Sequence, residues 1–296
     1  MRRHNKVSLL KHTLYNELYR YGCDLLKNAD IDDAALDARL LLEYVCKTDI
    51  NDLYTHGDRD VSPEDAQRYE EFLKERAANI PLQYITGVQD FMGLDFKVTK
   101  DVLVPRQDTE VLVEEAMKSL HDGMRVLDMC TGSGCILISL LHYSNDCSGI
   151  GIDISPAALL VARQNADRLG ATGAEFIESN LFDNCPDEQF DMIISNPPYI
   201  KTSVIKTLAP EVKDHEPVQA LDGSEDGLLF YREIIEKAGD HLCGGGCLFF
   251  EIGYDQGVEV SEMMKQAGYS DVKTVKDYSG NDRVVHGYRS MLHFPG

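Results

Sequence analysis

The nonapeptide Val126-Leu127-Asp128-Met129-Cys130-Thr131-Gly132-Ser133-Gly134 sets the architecture of this chain. An apolar run short enough for a buried strand breaks into a turn of small residues, and 135–142 then reads as a helix. This passage presents backbone N–H groups at the carboxyl end of a strand, where open α/β sheets bind ligands. Taken alone, a glycine turn between strand and helix has an equally good steric explanation.

The same alternation repeats on both sides of the turn. Strands are predicted over 125–129, 148–154, 175–178, 191–195 and 247–252, with helices over 135–142, 156–169, 227–242 and 256–267. The pattern predicts a largely parallel α/β sheet covered on both faces. Two further strands are expected over 272–275 and 283–288, one of them antiparallel. Before this, 83–104 has the texture of a β-hairpin linker, with Phe91, Gly93, Leu94, Phe96, Val98, Val102 and Val104. The first 82 residues read as helices. Leu10, Leu14, Leu18, Tyr21 and Leu25, then Ala34, Ala38, Leu41, Leu42 and Val45, recur at three- and four-residue spacing. Ser62-Pro63-Glu64-Asp65 is a helix start, with a hydroxyl cap, a proline at the first helical position and acids at the positive dipole end. Ile80-Pro81 closes that helix.

Composition narrows the function. The 296 residues carry 50 Asp+Glu against 29 Lys+Arg, a formal net charge of −21. Residues 86–296 hold −17 of it, against −4 for residues 1–85. Affinity built on a phosphate backbone requires clustered cations, so this balance argues against it. An apolar fraction of 43% excludes disorder for most of the chain. No window has the run of about 18 apolar residues that a membrane span needs. The charges at Lys6, Lys11, Glu17 and Arg20 interrupt any signal-peptide core. None of the eight cysteines forms a C-x-x-C pair, so reduced thiols, no metal and a cytoplasmic location are expected.

Two further motifs point to a ligand and a reaction. Gly149-Ile150-Gly151-Ile152-Asp153 is an apolar strand ending in a carboxylate about 20 residues past the glycine turn, the placement that receives ribose hydroxyls. Asp153 also stands just before Ser155-Pro156, the start of the next helix, and could merely accompany that cap. Asp191 to Ser195 runs into Asn196-Pro197-Pro198-Tyr199. Two prolines stiffen this turn and leave its carbonyls free to accept. The Asn196 side-chain oxygen and the Pro197 carbonyl can together grip a planar NH₂ group, and Tyr199 offers an aromatic face to pack on it. Accepting both hydrogens lets such a nitrogen become tetrahedral and aim its lone pair at an electrophile.

With these residues the chain resembles the class I S-adenosylmethionine-dependent methyltransferases that act on planar amino groups, and more closely the release factor glutamine methyltransferases. The resemblance extends from about residue 30 to 290. It includes Pro81 to Gly87, Val104 to Glu110, Glu216-Pro217 with Ala220-Leu221, Asp226-Gly227-Leu228 with Tyr231-Arg232, Glu251-Ile252-Gly253 with Gln256-Gly257, and Asp282 to Val285. It implies a Rossmann-like class I methyltransferase domain over 105–296, joined through the hairpin linker 83–104 to a small N-terminal helical substrate-binding domain over 1–82. The implied reaction is methyl transfer from S-adenosyl-L-methionine to the N5 amide of a glutamine in a peptide chain release factor, with no direct nucleic-acid partner and no membrane. The alternatives are glutamine methylation of a ribosomal protein, adenine-N6 methylation of nucleic acid, and a scaffold without catalysis.

Residue by residue, the resemblance implies that Cys130, Thr131, Gly132, Ser133 and Gly134 wrap the methionine part of the cofactor, with Asp128 beside them. It gives Asp153 the ribose and puts Asn180 and Leu181 at the adenine. Arg106, Thr109 and Glu110 shape the entrance and serve the substrate side. Asn196, Pro197, Pro198 and Tyr199 hold the glutamine; Asn196, Pro197 and Tyr199 are the catalytic set, and Asn196 also borders the cofactor. His215 is expected to be a surface or structural histidine. Glycine is usual where Cys130 stands; at positive φ a side chain there costs about 1–2 kcal/mol.

Overall fold

The computed structural model describes residues 14–290, so the expected helical position Leu10 lies outside the described residues. The chain forms two compact units, one running up to Gly87 together with Pro210–His215, the other comprising Val88–Ala209 and the chain from Glu216 onward.

The first unit is helical: α1 (Tyr15–Asn28), α2 (Ala34–Cys46), α3 (Ile50–Thr55), α4 (Pro63–Ala77) and α5 (Leu82–Thr86). Leu18, Leu26, Ala38, Leu41, Leu42, Tyr69 and Leu73 form its core, as the helical spacing requires. Ser62 Oγ accepts the Asp65 N–H at 3.0 Å, so the expected cap of α4 is present. That helix ends at Ala77, three residues before Ile80, and 82–86 is a helical turn rather than the start of the hairpin. Arg76, buried, donates to Asp37 and to Glu211, each at 2.6 Å, which pins Pro210–His215 to these helices. His215 Nε2 lies 3.2 Å from the Ala78 carbonyl in the same unit, as a structural histidine would.

The second unit opens with an antiparallel hairpin, β1 (Val88–Phe91) and β2 (Leu94–Lys97), shorter than the 83–104 stretch expected of it. Phe91 and Phe96 enter the main core from it. There follow α6 (Gln107–Met117), β3 (Arg125–Met129), α7 (Cys135–His142), β4 (Ser148–Asp153), α8 (Pro156–Leu169), β5 (Ala174–Glu178), β6 (Phe190–Ser195), α9 (Thr202–Ile205), α10 (Pro210–Lys213, part of the helical unit), α11 (Leu229–His241), β7 (Leu242–Glu251), α12 (Gly257–Gln266), β8 (Tyr269–Lys276) and β9 (Asp282–Arg289).

The seven strands are ordered β5-β4-β3-β6-β7-β9-β8. β5, β4, β3, β6 and β7 run parallel, and β9 runs antiparallel to both β7 and β8. The order reverses between β3 and its neighbours β4 and β6, the switch point at which such sheets open a crevice. Val126, Met192, Ile194 and Phe249 feed the core on one face, and Leu127, Ile150, Ile193 and Leu248 that on the other. Burial on both faces explains why these strands read as unbroken apolar runs. Among the described residues no helix is long and apolar enough to cross a membrane.

Candidate active site

The carboxyl ends of β3, β4 and β6 converge on a cavity of about 470 Å³, a size suited to a nucleoside-bearing ligand. Its lining takes Met129, Cys130 and Gly132 from the turn after β3, Asp153 and Ser155 after β4, Ser179 to Leu181 after β5, and Asn196 and Pro198 after β6. Leu103 and Phe230 close other sides. Three aspartates, Asp101, Asp153 and Asp222, border it, and among the described lining residues there is no lysine, arginine or histidine. That field favours a cationic ligand.

The glycine turn is shaped by backbone at positive φ, 63° at Cys130, 55° at Gly132 and 80° at Gly134. A Cβ on Gly134 would stand 2.9 Å from Ile138 Cδ1 and 3.2 Å from Ala162 Cβ, so glycine is required there for the approach of α7 to α8. Cys130 therefore carries the strain expected of a side chain in this conformation. Leu181 (47°) and Ser224 (76°), also on the cavity, share it. Burial pushes the Cys130 thiol up, beside Asp153 and Asp128.

Asp153 accepts the Gly132 N–H through Oδ2 and the Ser155 N–H through Oδ1, both at 2.9 Å. Each oxygen keeps a lone pair for the cavity. Burial raises its pKa, and the backbone N–H groups of Ser155, Gly132 and Ile154 pull it back. Asn180 Nδ2 donates to Asp183, and the Ser179 hydroxyl donates to the Leu181 carbonyl at 2.8 Å, which holds Leu181 against the cavity.

Asp128, Thr131, Ser133 and Gly134 stand behind the lining rather than in it. Asp128 Oδ2 accepts from the Thr131 hydroxyl at 2.6 Å and from the Leu137 N–H, tying the turn to the start of α7, while Oδ1 is buried without a partner. Asn165 on α8 donates to the Ser133 carbonyl at 2.9 Å and exchanges two hydrogen bonds with the backbone of Lys97. It joins the hairpin to the turn. Its one signal in the sequence is an amide on an otherwise apolar helix face.

Asn196 borders the cavity, and its Nδ2 donates to Thr109 Oγ1 at 3.2 Å. Pro198 lines the cavity too, whereas Pro197 and Tyr199 do not. The Tyr199 hydroxyl donates to Glu251 Oε1 at 3.3 Å, and its carbonyl accepts from Gln256 Nε2 at 3.1 Å. Gln256 also donates to the Gly227 carbonyl and accepts from Gly253 N–H. A Cβ on Gly227 would lie 2.5 Å from the Tyr199 carbonyl oxygen, so only glycine allows that approach. The motifs around Gly227, Glu251 and Gln256 thus brace one turn.

Arg106, Thr109 and Glu110 do not line the cavity. Arg106 donates to both oxygens of Glu216, Glu110 accepts the Met92 N–H at 2.7 Å, and Thr109 supports Asn196 from below. Thr109 and Glu110 lie on the helix α6, absent from the expected elements, which turns them toward the protein, and Arg106 stands just before it.

Burial pushes Asp128 up to about 7, offset in part by Thr131 and the Leu137 N–H. Burial likewise pushes Glu251 up to about 7, against the pull of Thr109, Arg283 and Tyr199. Unfolded carboxyls titrate near pH 4. Between about pH 4 and pH 7 the folded chain therefore holds protons that the unfolded chain has lost, and stability falls as pH rises through that window. The urea midpoint of the protein without ligand is expected to be higher at pH 6 than at pH 8. Asp128→Asn should flatten that difference, and a midpoint that climbs with pH contradicts the assignment.

Fold and site together define a class I methyltransferase. Residues 120–239 match the family model of a methyltransferase domain, and residues 17–87 that of a PrmC N-terminal domain. A crystal structure of a methyltransferase from Pyrococcus furiosus shares the fold, with a TM-score of 0.51 at 20% identity over 68% of this chain and 91% of that one. A release factor glutamine methyltransferase of Geobacter sulfurreducens is 42% identical over 88% of this chain and 92% of its own length. One from Caulobacter vibrioides is 41% identical over 92% and 95%. The chain belongs to the release factor glutamine methyltransferase family.

Proposed function

We propose that this protein transfers a methyl group from S-adenosyl-L-methionine to the side-chain amide N5 of a glutamine in a peptide chain release factor. Asn196 carries the reading: it borders the cavity with its NH₂ committed to Thr109, so its Oδ1 is left to accept.

The cavity fits the cofactor in its donor set. The Asp153 carboxylate, preset by two backbone N–H groups, would accept from the ribose hydroxyls. The Cys130–Gly134 turn would hold the methionine part, Asn180 and Leu181 the adenine, and the three aspartates suit a cation. When bound, S-adenosylmethionine supplies an electrophilic methyl on its sulfonium. Asn196 Oδ1 and the Pro197 carbonyl accept the two hydrogens of the glutamine amide, drawing its nitrogen out of conjugation and fixing the lone pair in line. Tyr199, held at its hydroxyl and its carbonyl, keeps the turn stiff while charge builds on the nitrogen. The alkylated amide is acidic and gives its proton to water, so no side-chain base is needed.

The helical unit would bind the protein substrate, and the acidity of the catalytic unit would draw in basic surface around the glutamine. A cytoplasmic location is proposed, in keeping with eight free cysteines.

The test is incubation with a labelled methyl donor and, separately, a release factor, ribosomes and duplex DNA. Label is expected on a release factor glutamine. Label confined to a ribosomal protein, or to DNA, overturns the reading in favour of that substrate.

A further inference from the structure

Among the described residues that line the cavity, Phe230 alone is aromatic. It stands in the first turn of α11 and is half-buried. Its neighbour Tyr231 is turned fully into the core, where its hydroxyl donates to the Glu251 carbonyl at 2.9 Å. Successive helix positions diverge by about 100°, so anchoring Tyr231 in the core leaves Phe230 to the cavity. The start of the helix is fixed as well. The Gly227 carbonyl accepts from Gln256 at 3.1 Å, and the Leu228 N–H donates to Asp226, which is paired with Arg232. The backbone beneath the ring is therefore set before any ligand arrives.

Phe230 belongs to the side of the cavity given to the base. It packs against the core cluster that contains Leu181, on the face of the sheet opposite α7 and α8. The helix α11 is docked on the passage after β5. His241 stacks on Phe182 with ring centroids 4.7 Å apart, and Lys237 reaches Asp183 at 3.8 Å. Leu181 and Asn180 cannot grip a base strongly by themselves. Leu181 is aliphatic, and Asn180 is an exposed amide whose Nδ2 donates to Asp183 at 3.2 Å. A hydrogen bond to an exposed amide is traded against water, whereas an aromatic face covers the flat of a purine.

We propose that Phe230 is a further cofactor-binding residue, supplying the face on which the adenine of S-adenosylmethionine stacks; this rests on the reading of the cavity as the cofactor site. Stacking grips ground state and transition state alike, so Phe230 sets affinity and leaves the chemical step unchanged.

The test compares Phe230→Leu, Phe230→Tyr and Phe230→Trp with the parent. Phe230→Leu keeps apolar bulk and removes the ring. Its calorimetric affinity for S-adenosylhomocysteine is expected to fall about 5- to 50-fold. The KM for S-adenosylmethionine should rise to match, with kcat unchanged. Phe230→Tyr and Phe230→Trp return a ring and are expected to bind within about threefold of the parent. The chain contains no tryptophan, so Phe230→Trp places the only indole at this position. Saturation with S-adenosylhomocysteine is expected to quench its emission. Where Phe230→Leu does not fold, that quenching carries the test. A Phe230→Leu variant that binds within about twofold of the parent overturns the stacking. So does an indole emission that the ligand leaves unchanged. A fall in kcat equal to the loss of affinity reduces Phe230 to packing and overturns it too. A parent that binds S-adenosylhomocysteine but labels no release factor loses the substrate reading and leaves the stacking intact. A parent that does not bind that ligand loses the cofactor reading, and the stacking with it.

Discussion

Replacing Asn196 with alanine is expected to lower kcat for methyl transfer by on the order of 10²–10³, the cost of removing one preorganised group that acts on developing charge. The side chain stands at the end of β6 with Nδ2 held by Thr109, so its acceptor oxygen is fixed before substrate arrives. In the ground state the amide hydrogens could be satisfied by water almost as well. As the nitrogen gains positive charge those hydrogens become stronger donors, and the fixed acceptor counts for more than mobile water. The loss should therefore fall on kcat. Residual activity is expected, because the Pro197 carbonyl survives the substitution. Single-turnover kinetics beside calorimetry of cofactor binding separate the two. Undiminished turnover would falsify the assignment, and so would a loss confined to cofactor affinity.

Asp153→Ala is expected to weaken cofactor binding by roughly 10²–10³, with kcat at saturating cofactor reduced less than tenfold. A carboxylate accepting two ribose hydroxyls makes two charge-assisted hydrogen bonds, each worth about 1.5–3 kcal/mol. Not all of that is lost, because water can reach the ribose once the side chain is gone. Asp153→Asn should do nearly as badly despite its similar shape. Both carboxylate oxygens already face backbone N–H groups, from Gly132 and from Ser155, so whichever way the amide turned, its NH₂ would meet a donor. Calorimetric titration with S-adenosylhomocysteine reads the effect directly. An asparagine variant that binds as tightly as the parent would show that the two N–H contacts do not fix this residue's polarity.

The parts of the site that were legible in the sequence share one property: each lies within a single strand–turn–helix passage. Gly132 and Gly134 announce a left-handed turn, Asp153 follows at ribose distance, and Asn196 to Tyr199 is stiffened by its own prolines. Ser155-Pro156 fixes the start of α8 at the residue expected. The glycines Gly244 to Gly246, by contrast, look like a break between helix and strand, yet β7 begins at Leu242 and runs through them. It pairs with β6 at Leu242 and again from Cys247 onward, and the register shift between Phe190 and Met192 accommodates the glycines in between. Thr109 and Glu110, expected at the cavity entrance because they lie in a motif, are turned by α6 under Asn196 and to the Met92 backbone.

Periodicity and turn chemistry are local, and they suffice for the helical first unit, the largely parallel sheet, and the turns that border the cavity. They act through backbone propensity and the need to bury apolar faces, which a few neighbouring residues decide among themselves. Which polar side chain faces which is a different matter. Asn196 meets Thr109 across 87 residues and Tyr199 meets Glu251 across 52, while Asn165 reaches Ser133 from another helix. Those partnerships exist only after the sheet has assembled and excluded water, because burial leaves each polar group no alternative to the partner that the strand order brings beside it.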